Sequence, residues 1–178
     1  MYRVFVITGL IITLLVSCSS EPSLQKYFVE KSKAKNFVTL DIAPNFINTD
    51  SLKLSGEEQS ALKSLNKLNI LIFQNDSLNE SLYDTERNNV NNLLKGEQYE
   101  QLMKMGSGNQ GVAVYTLGEE EHIDEFVLFM HEQENGFGVV RILGDDMNPN
   151  NIMTIIGLMQ KGNLNLEQLK PLQDIMKT

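Results

Sequence analysis

One cysteine in 178 residues, Cys18, decides how this chain can be held together. It stands at the end of a leader in which Met1-Tyr2-Arg3 supplies one positive charge and Val4 to Leu15 forms a run of twelve uncharged residues. These are the n-region and h-region of a secretory signal. Twelve residues make a helix of about 18 Å against a hydrocarbon core of about 30 Å, so the run is too short to span a bilayer. Leu15-Val16-Ser17-Cys18 then has the order of a bacterial lipobox: an aliphatic residue, two small or medium residues, and the cysteine that is acylated. The expectation is that residues 1–17 are removed as a signal peptide and that Cys18 becomes a lipidated N-terminus.

Fatty acyl chains such as palmitate contribute about 0.8 kcal/mol per buried methylene, so several on one residue anchor a protein stably where one does not. Acylation also consumes the only thiol. The mature domain can then form no disulfide and use no cysteine as nucleophile or metal ligand. Its stability must come from packing, and the 161 residues left after 17 of 178 are removed suffice for one domain.

The leader takes away Arg3 and no acid, which moves the formal charge from −8 to −9. An acidic surface repels phosphate backbones and anionic headgroups. Nucleic acid is therefore not an expected partner, and the lipid on Cys18 is the expected membrane contact. Lys26, Lys31, Lys33 and Lys35 form one basic cluster, read as a solvated helix face. Ser19, in place of aspartate after the cysteine, favours the outer over the inner membrane.

Residues 18–22 read as the lipidated cysteine and a short tether, and residues 23–178 as a single domain. Ser23 can cap a helix whose Leu24, Tyr27 and Phe28 share one face. In Phe37 to Ile42, the residues Phe37, Thr39 and Asp41 alternate with Val38, Leu40 and Ile42, the period of a strand. Ser55 and Glu58 have capping-box spacing ahead of a helix carrying Ala61, Leu62 and Leu65. Leu68 to Phe73 reads as a buried strand. Ser77 and Glu80 repeat the capping pattern before a helix with Leu82, Tyr83, Val90, Leu93 and Leu94 on its apolar side, stopped at Gly96.

The second half changes period. Tyr99 to Met105 and Gly111 to Tyr115 flank the loop Gly106 to Gln110 as a hairpin, Ile123 to His131 is a third strand, and Asn135-Gly136 turns the chain into a fourth, Phe137 to Leu143. Asn148 caps a helix with Pro149 at its first position, with Ile152, Ile155, Ile156 and Met159 facing the core until Gly162. A tail from Leu166 to Met176 carries Leu169, Leu172 and Ile175, interrupted by Pro171. Two βα units followed by a β-meander and a helix give an α+β domain, with one mixed or mainly antiparallel sheet and helices packed on one face.

Phe37-Val38-Thr39-Leu40-Asp41-Ile42-Ala43-Pro44, Tyr99 to Met105, Ile123 to Leu128 and Val139 to Asp145 follow one another in an order that resembles the family called domain of unknown function 4252, Bacteroidetes-type lipoproteins. The resemblance spans roughly residues 23–160 and rests on hydrophobic frames. It implies an exported, lipidated protein of unknown activity, and it brings no catalytic residues with it.

The candidate chemistry in the chain has plainer readings. Gly106-Ser107-Gly108-Asn109-Gln110-Gly111 matches G-x-G-x-x-G, yet it leads into the alternating Val112-Ala113-Val114-Tyr115 where a dinucleotide site needs a helix. His131-Glu132 opens like a zinc-protease motif, with Asn135 where the second histidine belongs. His122, after Glu119-Glu120-Glu121, reads as part of a solvated acidic turn. Asp145 to Asn150 offers alternating oxygens, but counted from Asp146 a calcium loop has Asn151 and Gly157 where it wants glycine and glutamate. Asp124 and Glu125 point to opposite faces of a strand. Met103, Met105, Met130, Met153 and Met159 fall at apolar positions and read as core.

No catalytic, cofactor or metal residue is therefore expected; the one site residue is Cys18. The expected role is a non-catalytic envelope lipoprotein that binds a protein partner or assists envelope homeostasis. The alternatives are a small-ligand binder with a pocket between sheet and helices, or an unrecognised hydrolase.

Overall fold

The computed structural model describes residues 21–49, 52–75, 80–119, 122–161, 163, 164 and 170. The expected leader, Cys18, the Ser77 cap and, Lys170 apart, the tail from Leu166 to Met176 lie outside the described residues.

Helices start where their caps are. Ser23 accepts from the amide of Lys26 at 3.2 Å and opens α1 (Leu24–Lys31), whose Leu24, Tyr27 and Phe28 are buried. β1 (Phe37–Ile42) runs into a single 3₁₀ turn, Pro44–Phe46, and a short β2 (Ile47–Asn48). At α2 (Gly56–Ser64) the capping box is complete: Ser55 Oγ accepts from the Glu58 amide at 3.2 Å, and the Glu58 carboxylate accepts from the Ser55 amide at 2.9 Å. Reciprocal capping satisfies amides that the first helical turn leaves free. Leu65, read as the end of this helix, instead begins β3 (Leu65–Gln74).

α3 (Glu80–Leu94) leads to β4 (Tyr99–Ser107), β5 (Gln110–Glu119), β6 (His122–Glu132) and β7 (Gly136–Met147). Before α4 (Pro149–Lys161), Asn148 and Asn151 cap each other, side chain to amide, at 3.0 and 2.9 Å. β8 (Asn163–Leu164) follows. The hairpin between β4 and β5 turns on Gly108-Asn109 alone, with Gly106 and Gly111 paired in the ladder, so it is tighter than the loop read from the glycines. Gly136, at φ +124°, makes the turn into β7; a Cβ there would run into the carbonyl oxygen of Phe73.

The domain is α+β with one six-stranded antiparallel sheet, ordered β1-β3-β7-β6-β5-β4, and a two-stranded β2-β8 ribbon. The meander from β4 to β7 is consecutive, and β3 inserts between it and β1. The helices divide between both faces, where the pattern placed them on one. Leu71, Phe73, Val127, Phe129, Phe137 and Val139 share a core with residues of α1 and α3. Leu68 and Phe126, of opposite parity, share a second core with Ala61 of α2 and Ile152, Ile155 and Leu158 of α4. The central strands are apolar at both parities, so each face needs a cover.

The first core is aromatic at its centre. Phe73 and Phe137 stack with centroids 5.1 Å apart and planes at 16°, and Phe37 sits 5.0 Å from Phe73. Phe73 is fully buried, which contributes about 1.5–3 kcal/mol by area removed from water.

Candidate functional site

Strand register arranges the second face of the sheet in rows. Inside an end row of Gln110, Glu132, Gly136 and Gln74 beside the Asn135-Gly136 turn, the first apolar row reads, strand by strand, Met105, Val112, Met130, Gly138, Ile72, Val38. The next reads Met103, Val114, Leu128, Val140, Ile70, Leu40. All twelve positions are apolar. The third row, which holds Thr116, Phe126, Ile142, Leu68 and Ile42, packs beneath α2 and α4.

Among the described residues, the helices stop short of the first row. Met105 is 62% exposed and Met130 39%, and an open depression of about 560 Å³ lies over Ile72, Met105, Val112, Met130 and Gly138. Five inter-strand spacings carry this row across about 24 Å. Gly138 keeps its middle low, with no side chain between Met130 and Ile72.

Four of the five methionines read as core are thus at the surface: Met103 at 44%, Met105, Met130, and Met153 at 68%. Ile156, also read as core-facing, is 38% exposed, so α4 adds Met153 and Ile156 to the apolar surface of the domain while Ile152, Ile155 and Leu158 fill the core. Met159 alone of the five packs against the second core. Strand alternation showed which residues share a face; it carries no signal for whether a helix covers that face.

The other face holds two buried carboxylates, each engaged by a cation. Arg141 donates to both oxygens of Glu125, at 2.7 and 2.8 Å, and its third nitrogen reaches Gln25 of α1 at 2.5 Å; the Phe28 ring lies 5.3 Å from the guanidinium. Tyr99 donates weakly to Glu125 at 3.4 Å, and burial, then the charge of Glu125, pushes its phenol well up. Asn69 donates to Asp41 beside this group. Glu86 accepts from Tyr27 at 2.8 Å, Lys31 at 2.5 Å and Asn89 at 3.3 Å. Burial opposes ionisation of Glu86, but these three bonds outweigh it and hold the carboxyl below its ordinary value. Lys31 is accordingly an interior tie between α1 and α3, unlike the solvated face read for its cluster.

The weighed motifs fall as follows. Gly106 to Gly111 leads into β5, a strand. His131 lies on the α3 side of β6, one position from Glu132 on the other side. His122 and Asp146 meet at 2.8 Å on the surface. Glu125 is buried and Asp124 exposed, and Asp124 falls in the irregularity between Ile123 and Glu125 where the strand register shifts. Among the described residues no three His, Cys, Asp or Glu side chains converge as metal ligands, and no helix is long and apolar enough to cross a membrane.

A family model described as Domain of unknown function (DUF4252) matches residues 27–155, 129 of the 178 positions. It covers every strand of the large sheet. No curated protein and no solved structure matches.

Proposed function

Because the chain belongs to the DUF4252 family, whose description names no activity, we propose a function from the surface of its own domain: a non-catalytic, lipid-anchored envelope protein that docks an apolar segment of a protein partner on the Met105-to-Val38 row. The observation that carries this reading is that no helix among the described residues covers this row, with Met105 and Met130 exposed. Soluble domains rarely leave a wide apolar patch in water, and those that do use it for binding. Methionines suit the task because their unbranched, polarizable side chains repack against different shapes.

Charge and tether argue for a protein occupant. A formal charge of −9 after loss of the leader repels anionic headgroups and disfavours a second copy of the chain. The four residues Ser19 to Pro22 reach about 14 Å at most and lead into α1, on the opposite side of the sheet from the row. An anchor at Cys18 thus leaves the row facing away from the lipid. The two buried carboxylates support a non-catalytic reading, since Glu125 and Glu86 are each neutralised by a cation and enclosed.

Crosslinking in native membranes, followed by purification, should recover one partner with the natural chain and lose it with Met105→Lys and Met130→Lys. Undiminished recovery with both variants contradicts the reading.

A further inference from the structure

A pocket between α3 and the β4–β5 hairpin has a charge opposite to that of the chain. About 170 Å³ is bounded by Arg87 of α3, Lys104 of β4, His131 of β6 and the Gly106-Ser107-Gly108 backbone, with Tyr115 and Phe129 in its walls. Among the described residues no carboxylate lines it, in a chain with 23 acidic residues against 15 basic ones. Neither Arg87 nor Lys104 makes an ion pair within the described residues. The Arg87 side chain has one long hydrogen bond, Nη2 to the Gly108 carbonyl at 3.4 Å.

The group is short of partners. Arg87 Nε and His131 Nδ1 are both enclosed and both lack a partner among the described residues. Such an unmade bond costs about 1–3 kcal/mol, more for a charged group, and proteins seldom leave two side by side unanswered. Burial, then the charges of Arg87 and Lys104, holds His131 below its ordinary value, so the cluster already resists a further positive charge. By contrast, Lys31 and Arg141 each have a carboxylate within 3 Å. Here two cations and an imidazole are gathered around open volume.

We propose that this pocket binds a small oxyanion, a phosphate or carboxylate group, between Arg87 and Lys104 with His131 beside it. Guanidinium supplies planar paired donors and ammonium a point charge, and a compact oxyanion accepts from both. The volume admits such a group and no nucleotide. Gly111 leaves room for the imidazole, since a Cβ there would fall 2.8 Å from the His131 ring. This site lies on the α3 side of the hairpin and shares Met105, Gly106, Gly111, Val112 and His131 with the rim of the depression over the methionine row.

The test titrates the purified protein with sodium phosphate, sodium acetate and sodium chloride at matched ionic strength. The chain has two histidines, so the His131 imidazole signal can be followed with His122 as internal reference. Phosphate or acetate should move the His131 signal saturably, leave His122 in place and raise the melting temperature by about 8 °C near a hundred times the dissociation constant. The two anions separate phosphate from carboxylate recognition. Arg87→Gln and Lys104→Gln should each weaken binding about tenfold or more, the loss of one charge-assisted bond. Lys104 is exposed on an edge strand, so its variant keeps the test sound should Arg87→Gln misfold. No saturable shift with either anion, an equal response to chloride, or unchanged titration in both variants overturns the proposal.

Discussion

Arg141 closes on Glu125 with two parallel bonds, Nε to Oε1 at 2.7 Å and Nη2 to Oε2 at 2.8 Å, in the sheet face that α1 covers. Gln25 takes the remaining guanidinium nitrogen, so the helix that follows the tether is fixed to this pair by its side chain as well as by Leu24, Tyr27 and Phe28. Removing one partner leaves the other charge buried and unpaired. Glu125→Gln should therefore cost about 3–5 kcal/mol, and the double variant Glu125→Leu with Arg141→Met much less. Urea denaturation measures both; a double variant as unstable as the single one contradicts the account.

Glu86 makes stability depend on pH. Its folded value is lowered from an ordinary 4.5, so its contribution is full above about pH 4.5 and is lost as pH falls through the folded value. Glu86→Gln should melt below the natural protein at pH 7, and the gap should close on acidification below pH 4.5. A gap that persists undiminished in acid places the effect in packing instead of charge.

The uncovered row and the covered core should respond oppositely to substitution. Phe73→Ala removes a fully buried ring from the aromatic centre and should cost about 3–5 kcal/mol. Met105→Lys, at a 62% exposed position, should change stability by about 0.5 kcal/mol or less. Denaturation midpoints decide, and a large loss for Met105→Lys means the row is structural.

Cys18→Ser should move the protein from the membrane to the soluble fraction, since the acyl chains are the proposed anchor. Fractionation with mass spectrometry of the N-terminal peptide tests this; a membrane-bound, unacylated variant defeats the lipobox reading.

Local grammar made much of the fold legible. Ser23, Ser55 with Glu58, and Asn148 cap where their spacing says, and Asn135-Gly136 turns where a hairpin requires it. Tertiary choices were hidden. Both parities of β3 are apolar, so nothing in Leu68 to Phe73 tells which face a helix will take. Met103 and Met105 flank Lys104 in strand alternation, which shows a shared face and leaves its cover unstated. Arg141 among Val139, Val140, Ile142 and Leu143 was the missed signal: a charge inside an apolar strand, with Glu125 at an inward position of the preceding strand, marks a buried pair. Arg87 and His131 lie far apart in sequence, and their pocket exists only once α3 packs on the sheet.

Site-directed crosslinking in the native membrane tests the central claim most directly. With Cys18 acylated, Met105→Cys, Met130→Cys and Val29→Cys each carry one free thiol for a photoreactive label; Val29, 63% exposed on α1, probes the opposite face. The account predicts one discrete protein adduct from the two row positions and none from Val29. Adducts to lipid, to a second copy of the chain, or in equal yield from Val29 would contradict it.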